Sequence, residues 1–133
     1  SGGPGKFRGG LSMSKDIRVL GHDSQFTIKA DRQKTPPWGL FGGQPGLPGV
    51  ITIYPGTDQE AVSDSKKSGT TLKSGGVLGW QMHGAGCWCN PLERDRALIV
   101  HDLEEGYITP ESALRDYGLT EEDLAQIEVF GKT

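Results

Sequence analysis

The stretch that most constrains the fold is TPPWGLFGGQPGLPG at residues 35–49, which holds four prolines and five glycines. Proline removes a backbone donor and glycine weakens regular elements, so neither a helix nor a central strand can form here. Four large apolar side chains make the stretch too apolar for a free linker, namely Trp38, Leu40, Phe41 and Leu47. We therefore expect an ordered loop that packs these side chains onto the domain or onto a partner.

The rest of the chain is also rich in residues that form turns. Of its 133 residues, 21 are glycine, 8 are proline and 34% are hydrophobic. This composition favours short strands joined by many turns, within a single domain over residues 1–133. Because little apolar surface is available for a core, we expect the fold to depend on a partner, a metal or both.

The charge and the cysteines narrow the class of protein further. A net charge of −3 gives no basic face for nucleic acid. No apolar run approaches the roughly 20 residues that a membrane-spanning helix needs, and the first residues do not form a signal peptide. Two cysteines one residue apart make a poor structural disulfide, so we expect reduced thiols and a cytoplasmic location.

The chain divides into four parts along its length. Residues 1–10, SGGPGKFRGG, form a glycine-rich arm that is more typical of a mobile terminus than of packed backbone, although Phe7 could anchor it and Arg8 could fork a carboxylate or phosphate. A β-rich part covers residues 15–83, a Gly/Cys loop covers 84–91, and a helical part covers 92–133.

Alternating apolar residues predict strands in the β-rich part. The first two are expected to form a hairpin, and the polar stretch 58–74 is expected to be an exposed hairpin or flap. The predicted strands are Asp16–Gly21, Gln25–Ala30, Val50–Tyr54 and Val77–Met82.

Capping residues and apolar spacing predict helices after Pro91. The acidic run Asp102–Glu105 is expected to be a solvated helix end. The predicted helices are Leu92–Leu103, a second one from Pro110 to about Tyr117, and a third from Thr120 to about Ile127. The fold class is therefore mainly β, sandwich or barrel-like, with two or three short C-terminal helices.

The Gly/Cys loop carries the residues with the most chemistry. His83, Cys87 and Cys89 follow the pattern H-x₃-C-x-C, and thiolate and imidazole are the ligands that zinc prefers. We predict a zinc site with His101 as the fourth ligand, although His22, Asn90, Asp102 or a partner could replace it. Reduced, part-buried cysteines with a structural histidine are the alternative. A Cys–His nucleophile pair or a redox pair is favoured less, because no activating group is evident.

Four motifs in order resemble one family. SGGPGKFRGG at 1–10, PPWGLFGG at 36–43, NPLERD at 90–95 and EEGYITPESALRDYGL at 104–119 resemble the C-terminal region of hydantoinase B-type large subunits. That family includes ATP-dependent hydantoinases and lactamases and the acetone and acetophenone carboxylases. This chain departs from the family in the loop 84–91, where cysteines and tryptophan replace the usual glycines and tyrosine.

The resemblance implies an accessory role in a larger enzyme. It is closest in kind to a small structural subunit of an ATP-dependent ketone carboxylase such as acetophenone carboxylase. ATP, Mg or Mn and bicarbonate would then bind the larger partner chains, and this chain would hold no catalytic residue. An equivalent part of an ATP-dependent hydantoinase or lactamase, or a stand-alone zinc-stabilised interaction domain, are the alternatives.

Overall fold

A computed structural model of the chain describes residues 2–130, with side chains through residue 127. It has six short strands followed by a 3₁₀ turn and three short helices, which confirms the expected mainly β class with C-terminal helices. The strands are β1 Ser14–Arg18, β2 Ser24–Lys29, β3 Val50–Ile53, β4 Ala61–Val62, β5 Lys66–Leu72 and β6 Val77–Gln81. The 3₁₀ turn is Pro91–Glu93, and the helices are α1 Arg96–Glu104, α2 Pro110–Tyr117 and α3 Glu121–Phe130.

The strands form two antiparallel sheets. One has the order β1-β6-β3-β4, and the other consists of β2 and β5. The hairpin predicted for the first two strands is therefore wrong, since β1 pairs with β6 and β2 pairs with β5. The flap predicted for residues 58–74 is also wrong, because β4 and β5 belong to the sheets and Leu72 at the end of β5 is buried.

One apolar cluster joins the two sheets. Its buried members come from β2 and β5 on one side and from β3 and β6 on the other: Ile28, Leu72, Ile51, Ile53 and Leu78. Burial of branched aliphatic side chains is the main favourable contribution to such a core, at roughly 1.5–3 kcal/mol for each fully buried side chain. This cluster explains why β2 pairs with β5, since that pairing brings Ile28 and Leu72 into the same core.

The chain divides into two compact units that do not follow sequence order. The β unit comprises residues 12–36 and 48–83, and the glycine–helix unit comprises, among the described residues, 2–11, 37–47 and 84–130. The arm, the middle of the irregular loop and the helical part thus share one unit. A second apolar cluster forms its core, with buried members Ile99, Ile108, Ala113, Tyr117 and Leu119.

Local capping sets the helix boundaries. The predicted helix Leu92–Leu103 is interrupted, because Asp95 adopts an extended conformation and caps α1 by accepting a hydrogen bond from the Ala97 N–H. Helix α2 begins and ends as predicted, with the Thr109 side chain accepting from the Ser112 N–H and Gly118 in the left-handed region at φ 70°.

Candidate functional site

Three irregular segments of the glycine–helix unit lie side by side and exchange backbone hydrogen bonds. The arm donates from the Gly3 N–H to the Ala85 carbonyl at 2.9 Å and accepts at the Pro4 carbonyl from Gln44 at 3.0 Å. Leu40 donates to the Cys87 carbonyl at 2.9 Å. The arm is therefore packed backbone, and the favoured interpretation of it as a mobile terminus is wrong.

Glycine makes this close packing possible. A Cβ on Gly86 would lie 1.8 Å from the Trp38 carbonyl oxygen, and a Cβ on Gly9 would lie 2.2 Å from the Ala85 carbonyl oxygen. Both distances are far below van der Waals contact with backbone atoms that cannot move aside independently. The glycines of the arm and of the Gly/Cys loop therefore allow direct backbone-to-backbone contact.

Cys87 occupies the centre of this backbone layer. Its side chain is buried, and its thiol donates hydrogen bonds to the Gln44 carbonyl at 3.0 Å and to the Pro4 carbonyl. Burial raises the pKa of the Cys87 thiol above its ordinary value, which favours the protonated form. In this arrangement Cys87 holds the arm and the loop together as a donor, whereas a zinc ligand would have to be a thiolate.

The other residues of the predicted zinc site have separate surroundings. Cys89 is a half-buried free thiol at a left-handed φ of 62°, and His101 lies exposed on α1, edge-on to Tyr107. His83 belongs to the β unit and lines a cavity there. Within residues 2–130, no three His, Cys, Asp or Glu side chains are grouped as ligands of one metal ion. Zinc binding stays a prediction, which a measurement of bound metal decides.

A buried ion cluster connects the arm to the helices. The Asp102 carboxylate accepts from Arg8 Nε at 3.0 Å and from an Arg94 terminal nitrogen at 2.8 Å. Arg94 also donates to the Lys6 carbonyl at 2.9 Å, and Arg8 donates to the Gly9 carbonyl at 3.0 Å. Because only 3% of the Asp102 side chain and 7% of the Arg94 side chain are exposed, solvent screens the cluster weakly.

The Asp102 cluster corrects one prediction and supports another. Asp102 is buried, so the acidic run Asp102–Glu105 is not simply a solvated helix end. The periodicity of α1 could have revealed it, since Asp102 follows the buried Ile99 by three residues and shares its helix face. Arg8 forks a carboxylate, which was the less favoured interpretation of the arm.

Four apolar side chains form an exposed surface on the same backbone layer, which we call the aromatic surface: Phe7, Leu40, Phe41 and Trp88. The Trp88 backbone bridges to both Phe7 and Leu40, and the Phe41 and Trp88 rings lie 4.5 Å apart. Phe41 is 72% exposed and Phe7 is 60% exposed. The large side chains of the loop thus do not enter the core, and they are held on hydrogen-bonded backbone with their apolar faces toward solvent.

The comparisons with known proteins agree on one family. A sequence model of the family described as Hydantoinase B/oxoprolinase matches residues 1–91. A protein of Pseudomonas sp. (strain NS671), named as the putative B-type subunit of a D-/L-hydantoinase, is 35% identical over 132 residues, or 94% of this chain and 21% of the relative. An uncharacterized protein of Methanocaldococcus jannaschii is 37% identical over 117 residues, 88% of this chain and 20% of that protein. The 5-oxoprolinase PfmaA of Pestalotiopsis fici is 30% identical over 95 residues, 68% of this chain and 7% of the enzyme.

The chain therefore belongs to the hydantoinase B/oxoprolinase family. It spans about a fifth of the length of the first two relatives. The match to the Pseudomonas protein extends over nearly the whole chain, so the resemblance drawn from the four motifs is confirmed at the level of family. Among residues 2–130, none of the helices has the length and apolar character required to cross a bilayer.

Proposed function

We propose that this chain is a structural module of a hydantoinase B-type assembly, and that the aromatic surface is where the larger part of the assembly docks. The exposed aromatic surface is the observation that carries this proposal. Contiguous exposed apolar side chains mark interaction sites more often than free surface, and aromatic residues dominate binding energy at interfaces.

The partner we propose is a hydantoinase B-type protein segment. The chain covers only 21% of the length of its Pseudomonas relative, so a complete protein of that kind contains much structure that this chain could contact. The backbone bridges at Trp88 hold the surface in place before binding, which lowers the entropy lost on docking. The module would then complete the fold of the larger protein and would contribute no catalytic residue.

For the activity of the assembly, we propose ATP-dependent opening of a cyclic amide. The names of two relatives, a putative hydantoinase subunit and a 5-oxoprolinase, support this choice. ATP and Mg or Mn would bind the larger partner chains. An ATP-dependent ketone carboxylase, which would also require bicarbonate, is the second candidate, and it rests on the resemblance of the four sequence motifs.

The docking proposal is tested by a matched pair of substitutions. Phe41 has a left-handed φ of 52°, a conformation that asparagine tolerates better than other side chains, so Phe41→Asn removes the ring with little backbone strain. Val62→Asn on β4 is the control, since Val62 is equally exposed at 72% but lies in the β unit.

We expect Phe41→Asn to weaken assembly with co-purifying family chains about tenfold or more, as for an aromatic residue at the centre of an interface. Size-exclusion chromatography with light scattering and intact-mass identification of the chains measures this. If both variants assemble like the unaltered chain, the docking proposal is wrong. Assays of the intact assembly with ATP and a hydantoin or lactam, against ATP, bicarbonate and a ketone, separate the two candidate activities.

A further inference from the structure

The β unit contains a cavity of about 210 Å³ at one end of strands β3 and β6. Its lining includes the half-buried Trp80, the aliphatic side chains of Val50 and Ile51, and the polar side chains of Gln33 and His83. Cavities that bind drug-sized ligands measure roughly 300–1,000 Å³, so this one suits a single small ring.

Gln33 leaves a hydrogen-bond donor unused beside this cavity. Its side-chain nitrogen Nε2 is buried and has no hydrogen-bond partner among the described residues. A buried donor without a partner costs about 1–3 kcal/mol, so such a group calls for a partner that binds later. An acceptor oxygen on a ligand would satisfy it.

The charges around the cavity indicate the charge of the ligand. The lining includes one carboxylate, that of Asp31, and it contains neither lysine nor arginine. Lys66 pairs with Asp31 at 2.8 Å from Nζ to Oδ1, which offsets this charge without presenting a free cation to the cavity. An anionic ligand would therefore enter without a counter-charge, whereas an uncharged ligand would meet no such penalty.

We infer that this cavity binds a small, uncharged, planar ring that carries a carbonyl group. The ring would lie against the Trp80 side chain and the aliphatic lining, and its carbonyl oxygen would accept from Gln33 Nε2. The choice of candidate ligands rests on the proposed function: hydantoins and lactams provide such a ring in a cyclic amide, and an aryl ketone provides it in the alternative activity.

A titration of the full 133-residue chain tests this site. The probes are 2-pyrrolidinone, hydantoin and acetophenone, followed by the indole N–H resonance of Trp80 in ¹H–¹⁵N spectra and assigned with Trp80→Phe. The decisive comparison is with 5-oxoproline, which adds a carboxylate to the 2-pyrrolidinone ring. We expect an uncharged probe to bind with a Kd on the order of 1 mM, as befits so few atoms, and 5-oxoproline to bind at least about tenfold more weakly.

Two variants connect binding to the cavity. Gln33→Leu removes the donor, and we expect it to weaken binding about tenfold. Val50→Phe fills the cavity and should abolish binding even if Gln33→Leu fails to fold. Gln59→Leu is the control, because Gln59 is an exposed glutamine of the same unit outside the lining, and it should leave binding unchanged.

Three results would overturn the inference. They are an unshifted Trp80 indole with every uncharged probe, equal or tighter binding of 5-oxoproline, and unchanged binding in both folded cavity variants. Preference for acetophenone over the amides would keep the site and favour the ketone activity. Because the titration uses this chain alone, its failure is distinct from a failure of docking through the aromatic surface.

Discussion

The Asp102 cluster offers the sharpest test of how the glycine–helix unit is held together. Asp102→Asn keeps the size of the side chain but removes its charge and replaces one acceptor oxygen with an NH₂ donor. Arg8 and Arg94 then remain as two guanidinium groups with no carboxylate between them. Removal of one partner from a buried ion pair typically costs about 3–5 kcal/mol, because the other charge stays buried without compensation.

The structure places the expected loss toward the lower end of that range. The Arg8 side chain is 15% exposed, and it keeps its hydrogen bond to the Gly9 carbonyl after the substitution. Arg94 is less able to adapt, since it is 7% exposed and its Nε already lacks a hydrogen-bond partner among the described residues. We therefore expect the free energy of unfolding to fall by about 3 kcal/mol, a large part of the ~5–15 kcal/mol that stabilises most domains.

Urea denaturation measures this loss, and hydrogen exchange locates it. The amides of Lys6 and Phe7 donate to the backbone of the Gly/Cys loop, so their protection should fall when the arm loosens. Asp123→Asn is the matched control, because it also breaks an Arg–Asp pair but on the exposed surface, with Arg96. If Asp102→Asn destabilises the chain no more than Asp123→Asn and leaves the arm amides protected, the cluster does not hold the unit together.

Three further predictions concern single positions. Gly86→Ala should destabilise the unit by several kcal/mol in urea denaturation, because its Cβ would overlap the Trp38 carbonyl, and a stable variant would contradict the packing described here. Hydrogen bonding to Arg96 lowers the pKa of Asp123 to about 2, so the contribution of this carboxylate to stability is present above its unfolded value near pH 4 and is lost as the pH falls toward 2, which carboxyl NMR titration with parallel unfolding curves can follow. Cys87, whose pKa is raised by burial, should react with iodoacetamide more slowly than Cys89 at about pH 8 in mapped mass spectra, and one zinc per chain that is lost in Cys87→Ser would instead support the predicted metal site.

Short-range signals in the sequence predicted several elements correctly. The Thr109–Pro110 start and the Gly118 end of α2 were predictable because capping involves residues three or four apart. The strands at Val50 and Val77 were predictable from β-branched and alternating residues. The order of four motifs was also enough to identify the family.

Strand pairing and the role of the arm were not predictable in this way. Adjacent alternating runs favour a hairpin locally, but burial of Ile28 with Leu72 pairs β2 with β5 instead. The arm has the composition of a mobile terminus, and it is ordered only because glycine backbones elsewhere in the chain accept it. Arg8 and Asp102 lie 94 residues apart in sequence, so no local pattern indicates that they meet.

The sequence by itself thus determined the secondary structure class, the caps of α2 and the family, because each depends on interactions among near neighbours or on residue types in order. Only the tertiary structure decided that Cys87 is a buried hydrogen-bond donor, that Asp102 joins two arginines, and that the aromatic surface faces solvent. The physical reason is that burial, ion pairing and the protonation of a thiol depend on which distant segments come into contact, and residue spacing along the chain does not specify those contacts.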